Sequence, residues 1–249
     1  MKGFLLNVVF VCSVFLLGVS PVCADKPDLS IPFQDAVSSY NRGEYQAAIQ
    51  GFELLTGSGK SAPLFYNLAN SYAQAGQSGR AILNYERALR LASGDSDIRG
   101  NLELVRRDKG LFQEEQSFVQ RCITFLSLNQ WVGLTATAAV LFAVVLLQPS
   151  VLRLKPSTRR GLAVCCLCVL TVAGIGAIGQ YKHWHDGVVV VADARLRVSP
   201  FESAASIGTI QEGRLLHPGK VHNEYVLVVD EAGRSGWLAK KSYESIAIP

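Results

Sequence analysis

GLAVCCLCVLTVAGIGAIG, Gly161–Gly179, contains no charged residue, and neither does WVGLTATAAVLFAVVLL, Trp131–Leu147. Crossing the hydrocarbon core of a bilayer takes about 20 residues, with a range of roughly 17–25. Both runs reach that length, and both lack the polar face that an amphipathic helix of a soluble domain would show. Membrane helices are therefore expected at 131–148 and 161–180, paired as a hairpin. Gly174, Gly176 and Gly179 would let the two helices approach closely. Trp131, Tyr181 and Trp184 suit the aromatic belt at the membrane interface.

The segment between the runs, 149–160, carries Arg153, Lys155, Arg159 and Arg160 and no acid. Positive charge resists translocation, so this short loop is expected in the cytoplasm. Residues 1–24 read as a secretory signal peptide: Lys2, an apolar run from Phe4 to Leu17, then Val22-Cys23-Ala24 before the cleavage point. Both arguments put 25–130 and 181–249 on the outer side. Within that stretch, 110–130 reads as an amphipathic juxtamembrane segment, either lying on the membrane surface or lengthening the first span.

Composition agrees with a chain partly in lipid. Of 249 residues, 49% are hydrophobic and 18% charged, against roughly 25% charged in average soluble chains. The net charge of +4 arises around the apolar runs, since 25–120 holds ten Lys/Arg against twelve Asp/Glu and 187–249 holds seven of each. Neither part is a basic patch, which argues against nucleic-acid binding. None of the six cysteines falls in either part, which excludes a disulfide framework there. Cys165, Cys166 and Cys168 lie in the apolar run and behave as small hydrophobes.

Residues 30–109 read as helical and self-similar. Gly43/Gly76, Ala48/Ala81, Ile49/Ile82 and Phe52/Tyr85 recur at a fixed interval, as in stacked helix–turn–helix units. The segment Phe65–Tyr72, Gly76, and Ala81, Ile82, Tyr85, Ala88 and Leu89 resemble the tetratricopeptide repeat (TPR). A further unit opens at Ser96 and reads as a capping helix. The resemblance implies a concave, partner-binding groove carrying Tyr40, Tyr66, Asn67, Asn70, Gln74 and Asn101.

From Gly187 the pattern is that of strands: Val188–Val191, Tyr225–Val229 and Gly236–Leu238, punctuated by Ser199-Pro200, Glu212-Gly213, Pro218-Gly219 and Ala232-Gly233. Short strands so spaced argue for a small all-β barrel at 187–249. Leu196–Pro200, Ile207–Gly213 and above all Gly233-Arg234-Ser235-Gly236-Trp237-Leu238 resemble the bacterial SH3-like (SH3b) family. Tyr225 and Trp237 are its candidate ligand surface, although the barrel core is the favoured place for Trp237.

The order of segments resembles the BatE-like family of the Bacteroides aerotolerance (Bat) operons. The resemblance implies membrane-tethered von Willebrand factor A-domain proteins as partners and a role in envelope assembly or stress tolerance. The expected fold is thus a multidomain membrane protein: an α-helical TPR solenoid, a two-helix transmembrane hairpin and a small SH3-like barrel. The expected function is a periplasmic adaptor anchored in a bacterial inner membrane; the alternative is a peptidoglycan-binding anchor. No Gly-x-Ser-x-Gly, phosphate loop or His-Glu-x-x-His occurs. Gly57-Ser58-Gly59-Lys60-Ser61 lacks the upstream glycine of a phosphate loop. His183-Trp184-His185-Asp186 reads as interfacial belt rather than as a metal site. No catalytic residue, metal or cofactor is expected.

Overall fold

A computed structural model describes residues 29–111, 118–147 and 155–248. The signal peptide expected at 1–24 and residues 149–154 of the expected basic loop lie outside the described residues. Pro32–Pro249 cluster as one unit.

Five helices come first: α1 (Ser30–Asn41), α2 (Tyr45–Thr56), α3 (Ala62–Gln74), α4 (Ser78–Leu91) and α5 (Ser96–Asp108). Each from α2 onward packs on its predecessor or successor. Gly43 and Gly76 end α1 and α3 at φ 78° and 77°, a backbone state that glycine enters without steric cost. Ser61 caps α3 by accepting the Leu64 N–H at 3.3 Å, and Asp95 caps α5 through the N–H groups of Asp97 and Ile98. Buried Ala48, Phe52, Phe65, Leu68, Ala69, Tyr72, Ala81, Ile82, Tyr85 and Ala88 fill the space between α2, α3 and α4.

Two further helices, α7 (Leu128–Leu147) and α8 (Pro156–Lys182), are long and apolar enough to cross a membrane. They pack on each other and leave Val140, Leu141, Val164, Val172, Ile175 and Ile178 exposed. Such continuous apolar exposure is stable in lipid rather than in water. Of the three glycines expected at the contact, Gly176 and Gly179 meet Trp131 and Ile123, while Gly174 faces open space. Trp131 is buried against Gly176, its indole N–H donating to the Ile123 carbonyl at 2.9 Å. Arg159, one of the basic-loop residues, donates to the carbonyls of Val145 and Leu146 at 2.9 and 2.7 Å and closes the end of α7. Before α7, α6 (Phe118–Phe125) is a separate short helix with Phe118, Val119 and Phe125 exposed.

The last part is a seven-stranded antiparallel sheet, in the order β3-β2-β6-β5-β4-β1-β7. Its strands are β1 (Gly187–Val189), β2 (Ala194–Arg197), β3 (Ser206–Ile210), β4 (Leu215–His222), β5 (Tyr225–Asp230), β6 (Ser235–Ala239) and β7 (Tyr243–Ser245). Leu196, Ile210, Leu216, Val226, Val228 and Leu238 form its core.

The expectation of a multidomain protein built of a TPR solenoid and a small SH3-like barrel is corrected on both counts. The sheet is open: among the described residues β3 and β7 are its two edges and do not pair. Closure fails because β1 takes β7 on the side away from β4, so that β7 extends the sheet instead of sealing it. The helices do not stand apart either, because α4 packs directly on β1. Gly79 of α4 lies so close that an added Cβ would sit 2.6 Å from the Val189 carbonyl oxygen and from Glu212 Cγ. Gly213, at φ 89°, seats the β3–β4 turn against Ile82 and Leu111 in the same way. Covered by α4 as well as by the sheet's own core, β1 is buried at all three positions, without the alternation of a half-exposed strand.

Candidate functional site

The residues expected to line a helical groove are brought together in part. Asn101 of α5 donates to the Tyr66 hydroxyl at 3.0 Å and to Asn70 Oδ1 at 3.2 Å. Tyr85 donates to the same Asn70 oxygen, and its ring lies 6.1 Å from that of Tyr66. Tyr40 stacks on Tyr45 at 5.6 Å. Burial, then the neighbouring Tyr66 and Tyr40, raise the Tyr85 hydroxyl pKa well above the ordinary value. Asn67 stands outside this network, bonded back to the Pro63 carbonyl at 2.8 Å, and Gln74 is exposed at the end of α3. The amides of Asn70 and Asn101 thus serve to join α3, α4 and α5. That use of the asparagines was not evident in the sequence.

Tyr225 and Trp237 lie on one face of the sheet. Trp237 is paired with Leu227 and Arg197, and alternates along β6 with buried Gly236 and Leu238. It therefore points away from the sheet's core and is half-buried. His222, the cross-strand partner of Tyr225, makes an edge contact with Trp237 at 6.4 Å and another with Phe201 at 5.9 Å. Phe201, Val198, Ile207 and Val221 are all more than half exposed, at 56%, 56%, 52% and 60%.

The junction between α4, the end of α8 and the sheet is polar and specific. Arg90 donates to the carbonyls of Trp184 and His183 at 2.5 and 2.6 Å, with its guanidinium 5.1 Å from the Trp184 ring centre. Arg87 donates to the Ser245 carbonyl at 2.8 Å. Gln211 donates to the Lys109 carbonyl at 2.8 Å. Asp186 is buried beneath this junction and receives His217 Nδ1 at 2.7 Å and His183 Nδ1 at 2.9 Å. Burial opposes its ionisation, but the bonds from His183 and His217 outweigh burial and hold its pKa below the ordinary value. The bond to Asp186 raises the His217 pKa in turn, against the opposing effect of burial. The sequence reading saw His183 and Asp186 as neighbours and missed His217. The signal lies in sheet register: Gly187 pairs with Leu216 in an antiparallel ladder, so Asp186 stands opposite His217.

No protein-family model matches the chain, and no curated protein or solved structure matches it.

Proposed function

We propose that this chain is a membrane-anchored adaptor of a bacterial envelope, with α7 and α8 as the anchor. One unit of helices and sheet is held on the periplasmic side to bind protein partners. The observation that carries this reading is the docking of α4 on β1 and the β3–β4 turn. These elements flank the two apolar helices in sequence, so the contacts require both to lie on the same side of the membrane. A two-span hairpin with its connecting segment on the opposite side meets that requirement. The cations of 149–160 and the signal-peptide pattern at 1–24 favour the periplasm for the soluble unit.

The face carrying Phe201, His222, Tyr225 and Trp237 is the surface we assign to the partner, since exposed aromatic and aliphatic side chains are enriched where proteins meet. Asn70 and Asn101 are engaged with each other and Asn67 with the Pro63 carbonyl of its own helix, which leaves Tyr40 and Gln74 as the freer helical contacts. Membrane-tethered von Willebrand factor A-domain proteins, the partners implied by the sequence resemblance, are the first to test. In-cell crosslinking, detergent extraction and identification of the captured proteins test the reading. The expected result is a captured membrane protein that is lost in Phe201→Ala/Trp237→Ala, with the thermal unfolding of the chain unchanged. Capture of peptidoglycan fragments alone would replace the adaptor by a wall anchor.

A further inference from the structure

We propose that His183, Asp186 and His217 form a binding site for one zinc ion, or a chemically similar divalent transition metal, that ties the end of α8 to strand β4. Each residue offers one donor atom, and these atoms all lie within 4.8 Å of one another. Two imidazole nitrogens and one carboxylate oxygen are a donor set that suits zinc and leaves a position for water.

The three side chains are already in mutual contact. Donors at about 2.0–2.2 Å from a tetrahedral zinc stand about 3.3–3.5 Å apart. The two Nδ1 atoms now stand 2.7 and 2.9 Å from the Asp186 oxygens, each sharing a hydrogen. His183 faces Oδ2 and His217 faces Oδ1, so replacing those hydrogens by one metal asks the two rings to turn until their nitrogens converge on a shared point. Both rings are free to do so: the His183 and His217 side chains are 58% and 46% exposed, whereas that of Asp186 is 10% exposed. The carboxylate is the fixed member of the set and the imidazoles are the adjustable ones.

The backbones beneath the three ligands are held from different directions. The His183 carbonyl accepts from Arg90 at 2.6 Å. The Asp186 carbonyl accepts from the Ile246 N–H at 2.8 Å, beyond the end of the β1–β7 ladder. His217 is fixed within β4 opposite Val229 of β5. Ligands supplied by the α8–β1 connection and by β4, and preset within hydrogen-bond distance, lose little freedom on binding a metal. The Arg90 guanidinium is turned onto the carbonyls of His183 and Trp184, and the Glu231 carboxylate acts electrostatically on His217. His185 lies outside the set, its ring edge-on to Tyr181 at 6.3 Å.

The test uses the untagged full chain in detergent, stripped with a chelator. Zinc is titrated calorimetrically and cobalt(II) by its visible absorption. One equivalent should bind, with an intense four-coordinate cobalt band. His183→Ala and His217→Ala should each weaken zinc at least tenfold, and His185→Ala should leave it unchanged. Should His217→Ala unfold, His217→Gln keeps a hydrogen-bond donor toward Asp186 and removes the imidazole, and it should show the same loss. The proposal is overturned if the wild-type chain shows no saturable single-equivalent binding. It is equally overturned if the His183 and His217 variants retain wild-type affinity, or if His185→Ala loses as much as they do.

Discussion

The backbone N–H of Gly79 donates to the Glu212 carboxylate at 2.7 Å across 133 positions of sequence that include both apolar helices. This bond sits where α4 rests on β1 and the β3–β4 turn, and the glycine is what allows the approach. The helical part before the apolar helices and the sheet after them are therefore halves of one body.

Gly79→Ala should lower the stability of that body by about 1–3 kcal/mol, the usual cost of overpacking a well-filled contact. An added methyl group would meet both the Val189 carbonyl and Glu212. Gly100→Ala, within α5 and facing open space, should be neutral or stabilising by up to about 1 kcal/mol. Thermal and denaturant unfolding of the full chain in detergent compares the two. Equal effects would contradict the account of the contact.

Tyr72 is buried beside Glu53, to which its hydroxyl donates, and Arg80. Burial first, and then the bond to Glu53, push its pKa up to about 12. A raised tyrosine pKa means that the folded state favours the neutral hydroxyl. The associated stability is fully present below the ordinary value of about 10 and is lost as pH rises through about 12. Unfolding followed from pH 9 upward should show the wild type losing stability more steeply than Tyr72→Phe. Parallel curves for the two proteins would refute the assignment.

The anchor offers its own paired test. Gly176→Leu should part α7 from α8, because any side chain there meets the Trp131 ring. Gly174→Leu should be tolerated, since its position is open. The first variant should lower the unfolding temperature in detergent and shift the tryptophan emission; the second should do neither.

How much of this was legible follows from which signals are local. The repeat interval placed Gly43 and Gly76 at helix ends, and both adopt the left-handed backbone that such turns need. The apolar runs marked α7 and α8, with bounds a few residues wider in the structure. Val188–Val191 was readable as a strand, yet an unbroken valine run also signals burial on both faces. That reading would have pointed to a covering helix. The open sheet and the Asp186–His217 pair depend on β1 choosing both β4 and β7 as neighbours, and such long-range pairing leaves no local mark. The sequence favoured the barrel core for Trp237, whereas strand alternation beside the small Gly236 and buried Leu238 turns it outward in the structure.

The most direct test of the central claim joins the two halves chemically. In a chain freed of its native cysteines, Lys109→Cys and Gln211→Cys would stand at exposed positions where Gln211 now touches the Lys109 carbonyl. A short bis-maleimide is applied to membranes, and the chain is then cut at a protease site inserted in the basic loop. The account predicts that the helical and sheet halves remain covalently joined after the cut. If they separate as freely as in the single-cysteine controls, the halves do not meet on one face of the membrane and the account is wrong.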